Sequence, residues 1–351
     1  MNNKSKIECH IQSLIGGRSE NQDSAGVMET DIGTVVVVCD GMGALNGGST
    51  ASKIAVTTVI NDIAAAQPDE SVAEVLKAAI IHANNAIIDA AENDDELAGM
   101  GTTLTAIIIN DECATLSYLG DSRIYQLRGR NKVFRTFDHS LVFQSVRVGL
   151  ITEEQARLSS QSNIITKALG VTKEIDVEIH EQPYLAGDRF VLCTDGFWGA
   201  MPEKELLPKI AKGNVSITLE KTAIQIDLLG IRNGGHHDNL TAAMFDVTKD
   251  SKRKVKMSKK AKLILALLIL ALVASLALNV YQCVKYGQNC SVENTATTSV
   301  PDDAVHPEEA AQTDQKDAGQ SGVVDEEADI VVNNEAVAPA DSTASSSIEK
   351  K

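Results

Sequence analysis

Short runs of alternating or β-branched residues dominate the chain from residue 8 to residue 248. They predict strands over Cys9–Ile15, Thr34–Cys39, Gly101–Asn110, Ala114–Leu119, Arg123–Leu127, Asp176–Pro183, Arg189–Cys193 and Leu240–Val247. Tight polar turns such as Asn110-Asp111-Glu112 and Gly120-Asp121-Ser122 join several of these runs, which predicts antiparallel neighbours. Helical periodicity is confined to two pairs. Ser49–Ala66 and Ser71–Asn93 are split by Gln67-Pro68-Asp69, and Pro202–Lys212 is followed by Ser216–Asn233. Strands, two helices, strands, two helices and a strand make an α+β order, in which helices must cover the sheet faces.

Beyond residue 250 the pattern changes. Leu263 to Val280 is eighteen residues without a charge. As a helix it spans about 27 Å, close to the hydrocarbon thickness of a bilayer. Lys252 to Lys262 precedes it with a basic cluster, and Tyr281 and Tyr286 fall where an interfacial aromatic belt would lie. The expectation is one transmembrane helix over 263–284, joined by a basic linker over 251–262 to a cytoplasmic domain over 1–250. The linker is also placed to meet anionic lipid headgroups. Residues 285–351 would then form an acidic, disordered, extracytoplasmic tail, since the stretch from 291 on has no aromatic residue to help offset the entropy of ordering.

The net charge of -16 argues against a nucleic-acid partner, because phosphate backbones are held by Lys and Arg. Cys9, Cys39, Cys113 and Cys193 sit in apolar strand-like runs and none belongs to a CxxC pair. They read as reduced, packed thiols. Cys283 and Cys290 lie near the expected outer boundary of the helix, where a disulfide is chemically accessible.

The chemistry lies in aspartates placed at strand ends. Val35 to Cys39 runs into Asp40-Gly41, Phe190 to Thr194 into Asp195-Gly196, and Thr115 to Leu119 into Gly120-Asp121. Asp238-Asn239 stands before the last strand, and Asp23 ends the loop that begins at Arg18. One Asp-Gly step is an ordinary turn. Several carboxylates around one set of sheets repel each other unless cations neutralise them. Oxygen donors without thiolates suit Mg²⁺ or Mn²⁺ rather than zinc. Two such ions sharing an aspartate can activate water and stabilise in-line displacement at phosphorus.

Other phosphate chemistries fit less well. No cysteine has an arginine six residues later, and Gly43 to Thr50 imitates a phosphate-binding loop but carries Ser49 where that loop needs lysine. Arg18 is suited to bidentate phosphate recognition. His236 and His237 beside Asp238 invite a zinc assignment, but adjacent side chains on extended backbone point in opposite directions.

Taken in order, the motifs resemble the PPM family of metal-dependent protein phosphatases, the protein phosphatase 2C type, and especially its bacterial members. The matching pieces begin with Arg18 to Asp23, Val38 to Gly43, Gly101-Thr102-Thr103 and Gly120 to Arg123. They continue with Asp138 to Val142, Asn163 to Gly170, Gly187 to Gly196 and Asp238 to Thr241. The resemblance implies a four-layer sandwich of two antiparallel sheets between helix pairs. It also implies hydrolysis of phosphoserine and phosphothreonine in proteins, in opposition to a serine/threonine kinase. It assigns Asp40 as the ligand bridging two Mn or Mg ions, Gly41 as a carbonyl ligand, and Asp195 and Asp238 as further ligands. Asp23 becomes an acidic contributor near the metals, Asp121 a ligand of a weaker third ion, Arg18 the phosphate anchor, and Asn239 an orienting neighbour. Met42 replaces the histidine that animal members use as a proposed general acid. The segment from Asp138 to Leu158 corresponds to the family's variable flap. Two other readings stay open from sequence: a silent sensor or binding module on the same fold, and a function seated in the tail.

Overall fold

A computed structural model of the chain describes residues 7–43, 47–253 and 259–289. The chain divides into two units, Met1–Leu268 and Ile269–Lys351. In the first, eleven strands are set among helices. They are β1 (Cys9–Leu14), β2 (Asp23–Thr30), β3 (Gly33–Met42), β4 (Gly101–Thr102), β5 (Leu104–Ile109) and β6 (Ala114–Leu119). They continue as β7 (Arg123–Arg128), β8 (Asn131–Arg135), β9 (His180–Gln182), β10 (Asp188–Cys193) and β11 (Leu240–Asp246). The helices are α1 (Gly47–Ala65), α2 (Val72–Asn93), α3 (Leu141–Arg147), α4 (Glu153–Arg157), α5 (Asp195–Trp198), α6 (Glu203–Ile210), α7 (Val215–Arg232) and α8 (Lys259–Asn289).

The strands form two antiparallel sheets, ordered β1-β11-β10-β7-β8 and β2-β3-β5-β6-β9, with β4 pairing β3. Strand periodicity sorts the core into layers. Along β3, Val35, Val37 and Cys39 pack with Ala51, Val59 and Ile63 of α1 and Leu76 and Ile80 of α2. The intervening Val36 and Val38 face Phe190, Leu192 and Phe245 of the other sheet. On that sheet's outer side Val191, Cys193 and Met244 pack against Leu206 of α6 and Leu219 and Ala223 of α7. The result is helix pair, sheet, sheet, helix pair. All four described cysteines are free thiols, and burial pushes the Cys9 thiol up to about 12.

Several expectations need correction. β2 and β8 lie at sheet edges, where one-sided packing leaves a weak apolar pattern, and neither is predicted from sequence. The strand expected over Asp176–Pro183 shrinks to β9. The run Gly101–Asn110 breaks at Thr103 into β4 and β5. Gly120-Asp121-Ser122 is not a hairpin turn: β6 and β7 belong to different sheets, and this turn crosses between them. Asp40 and Gly41 lie inside β3 rather than past it, because β2 and β4 pair with that end of the strand.

The segment after β11 is fastened to the domain. Lys252 and Arg253 donate their backbone N–H groups to the carbonyls of Asp111 and Glu112, at 2.8 and 2.9 Å. Their side chains pair with Glu112 and Glu181, so these two bases of the linker turn to the protein rather than standing free for lipid. Helix α8 covers the run expected to span a membrane. Among the described residues, which leave out the side chains at the start of the Leu263–Val280 run, no helix is long and apolar enough to cross one. Residues 254–258, the side chains at 259–265, at Cys283 and at 286–289 (Tyr286 among them), and residues 290–351 with Cys290 and the acidic tail lie outside the described set.

Candidate active site

Five carboxylates meet at one end of the sandwich, each delivered by a different element. Asp23 opens β2 and stands opposite Asp40 in the β2–β3 register. Asp121 occupies the crossing from β6 to β7, Asp195 opens α5 directly after β10, and Asp238 precedes β11. Asp40, Asp121, Asp195 and Asp238 border a cavity of about 570 Å³, together with Arg18, Gly41, Met42 and Asn239. Asp23 does not border it. It is 7% exposed, and its Oδ2 accepts a hydrogen bond from Thr194 Oγ1 at 3.0 Å.

Neutral groups hold this arrangement. The Asp40 backbone N–H donates to Thr103 Oγ1 at 2.9 Å, and its carbonyl accepts from Thr103 N and from Thr102 Oγ1, both at 2.8 Å. Thr103 Oγ1 in turn contacts Ser122 Oγ at 2.8 Å, which ties Asp40 to the Asp121 turn. Asn239 accepts from Gln22 N at 2.9 Å and donates to the carbonyls of Ile15 and Glu20 at 2.8 and 2.9 Å. That one side chain fixes the loop carrying Arg18. Both Asp-Gly steps are sterically required. A Cβ on Gly41 would lie 2.0 Å from the Gly48 carbonyl oxygen, and one on Gly196 would lie 2.0 Å from that of Asn239.

A second cluster, unremarked in the sequence, braces the site from behind. Trp198, on the same short helix as Asp195, donates Nε1–H to the Asp121 carbonyl at 2.9 Å. The Arg123 guanidinium lies over the Trp198 ring, 3.3 Å from its centroid, and grips buried Asp138 through two hydrogen bonds of 2.8 and 2.7 Å. Such a desolvated cation is tolerated because it is paired and stacked. Arg123 and Asp138 stand within matched motifs, and Trp198 is the chain's one tryptophan, but their mutual contact is invisible without coordinates. His237 is structural in its visible contacts: its Nε2 meets Asp227 Oδ1 at 2.8 Å, and its carbonyl accepts from Gly17 N.

The electrostatics follow from crowding. Burial, followed by the charges of Asp195 and Asp238, pushes Asp23 up to about 7, with Thr241 and Thr194 hydrogen bonds opposing. Burial also raises Asp195, to about 6, with Asp238 adding to the rise and a hydrogen bond from Asp40 opposing it. Asp40 and Asp121 are raised well above the ordinary carboxylate range by burial and then by Asp195. Asp238 pairs with Arg18, whose Nη2 lies 2.7 Å from its Oδ2.

These residues fit hard divalent cations. One buried oxygen each on Asp23, Asp121 and Asp195 has no hydrogen-bond partner, and every donor at the site is oxygen. Among the described residues no three His, Cys, Asp or Glu side chains close into a cage.

The sequence model for protein phosphatase 2C matches residues 12–259. The chain belongs to that family. It is a serine/threonine protein phosphatase of the 2C type. The Listeria monocytogenes protein named serine/threonine phosphatase stp is 34% identical over 235 residues, which is 65% of this chain and 91% of that protein. The structure of Stp1 from Staphylococcus aureus superposes with a TM-score of 0.63 at 27% identity, over 70% of this phosphatase and 97% of Stp1. The catalytic domain of PstP, solved with two manganese ions, gives a TM-score of 0.59 at 29% identity, over 69% of this chain and 99% of its own.

Two predictions follow from this geometry. Because Asp23 and Asp195 are raised to about 7 and about 6, the folded metal-free protein holds protons that the unfolded chain releases. Its stability is therefore expected to fall as pH rises from about 4 through about 7. Saturating Mn²⁺ should remove that fall, which thermal melts with chelator or with metal will read. Thr103→Val leaves the Asp40 N–H buried without its acceptor and should cost roughly 1–3 kcal/mol in urea unfolding. Thr103→Ser should restore most of that loss.

Proposed function

We propose that this phosphatase hydrolyses phosphoserine and phosphothreonine at a two-metal aspartate site holding Mn²⁺ or Mg²⁺, in opposition to a serine/threonine kinase. The observation that carries this reading is the set of buried, partnerless carboxylate oxygens beside a cavity bordered by Arg18. Asp40 would bridge the two ions, the Gly41 carbonyl would serve one, and Asp195 and Asp238 would serve the other. Asp23 would act on the site through its charge from behind, and Asp121 would hold a weaker third ion. When bound, such ions acidify water and offset charge on the phosphoryl group.

The chain's own groups do the remaining work. Arg18 presents a guanidinium at the cavity mouth, where it can exchange its Asp238 contact for two hydrogen bonds to a phosphoryl oxygen pair. Asn239 keeps the Arg18 loop in register with the carboxylates. Met42 borders the cavity and has no ionisable proton, so it is excluded as general acid. Phosphate release from a phosphothreonine peptide is expected with Mn²⁺ or Mg²⁺ and not with chelator. Asp40→Asn and Asp195→Asn should each cost more than the roughly 10–100-fold typical of groups that merely support metal ligands. A folded, metal-loaded wild type without turnover would make the domain a silent binding module.

We further propose that α8 anchors the protein, with the phosphatase domain cytoplasmic and the acidic tail outside. The support is the uncharged run from Leu263 to Val280 behind a basic cluster. The described large apolar side chains of α8 from Leu267 to Val284 are each more than half exposed, as those of an apolar helix with a nonaqueous surround would be. The full chain should stay in the membrane fraction after an alkaline wash, with its tail open to protease added from outside. Release by the wash would remove the proposal.

A further inference from the structure

Beside the carboxylate cavity lies a second one of about 430 Å³. The two are continuous, since Arg18, Asp121, Asn163, Asp195 and Asp238 border both. Their chemistry differs. The first is walled by carboxylates and backbone. The second is lined on its other side by Trp198 and Ala200, which follow Asp195, and by Ile226 and Leu229 of α7.

Asp121, Asp195 and Asp238 stand on the border shared with the carboxylate cavity, and the charged groups away from that border are already engaged. Arg157 donates Nη1–H to the Gly199 carbonyl at 3.0 Å and pairs with Glu154, at 2.7 Å. His237 is held by Asp227, and Arg18 by Asp238. His236 and Asn233 stand at the exposed edge. Away from the shared border and from Ser162, the wall left to meet a ligand is apolar, in a volume that suits one or two side chains.

We propose that the annex is a specificity subsite for a large apolar side chain within two residues of the phosphorylated serine or threonine. The occupant follows from continuity. A phosphoryl group at Arg18 puts the substrate backbone at the shared border, and in extended chain side chains two residues apart lie on one face about 7 Å apart. An acidic neighbour would instead meet Asp195 and Asp238 across that border. The inference rests on the phosphatase reading above and adds to it a preference among phosphoproteins.

The test uses the full chain with Mn²⁺. kcat/KM is measured for phosphothreonine peptides carrying Leu or Asp at the flanking positions, with p-nitrophenyl phosphate as a substrate that has no flanks. Wild type should favour the Leu-flanked peptide by at least about 10-fold. Ala200→Phe, which fills the annex, and Leu229→Asn, which makes its wall polar, should each bring that ratio towards one. The p-nitrophenyl phosphate rate of each variant reports whether its fold and metal site survive. A wild-type ratio near one overturns the subsite, as does a ratio that persists in both variants while they still turn over p-nitrophenyl phosphate. No metal-dependent turnover of any substrate by wild type overturns the phosphatase reading itself, and the subsite with it.

Discussion

Repulsion among five carboxylates is the constraint on which the rest of the structure depends. Asp23, Asp40, Asp121 and Asp195 are all raised, each first by burial, and each also feels the charge of at least one other of the five. An isolated domain would gain stability by letting these groups turn to solvent. The fold prevents that by building each one into backbone whose direction is already set by strand pairing. Destabilisation is thus concentrated at one end of a well-packed sandwich, and binding of cations there recovers it through linkage.

The means of restraint are uncharged. Threonine hydroxyls and one indole N–H hold the backbone of Asp40 and Asp121, a serine hydroxyl links those two, and one asparagine amide holds the Arg18 loop, which leaves carboxylate oxygens free to take ligands. Arginines at these positions would quench the charge that the metals require. Where a cation is used, as in Arg123, it is kept behind the site and saturated by Asp138 and the Trp198 face. Arg18 is the exception. It borders the cavity, half exposed, with Asp238 as a contact it can give up.

Much of this was legible in the sequence, and the rest was hidden for definite reasons. The central strands β3, β5, β6, β10 and β11 show themselves because both faces are buried and their apolar runs are unbroken. Edge strands β2 and β8 carry no such signal. Asp40, Asp195 and Asp238 announce themselves by position beside strands and glycines. The bracing of Asp121 by Trp198 is non-local, 77 positions apart, and no periodicity encodes it. The turn at Gly120 was misread because a short polar connection between two strands looks the same whether it folds a hairpin or links two layers. Only the partners of β6 and β7 distinguish those cases.

The strap at Ser251 to Arg253 decides where the chain leaves the sandwich. It is pinned to the β5–β6 turn, beside Ile109, and Ile109 pairs with Thr34 at the opposite end of β3 from Asp40. Six residues of strand separate those ends, roughly 20 Å. The domain therefore has two poles, one for departure of the chain and one for arrival of substrate. The catalytic mouth opens at the pole opposite the one where Lys252 and Arg253 are pinned, so the carboxylate end stays clear of the strap itself.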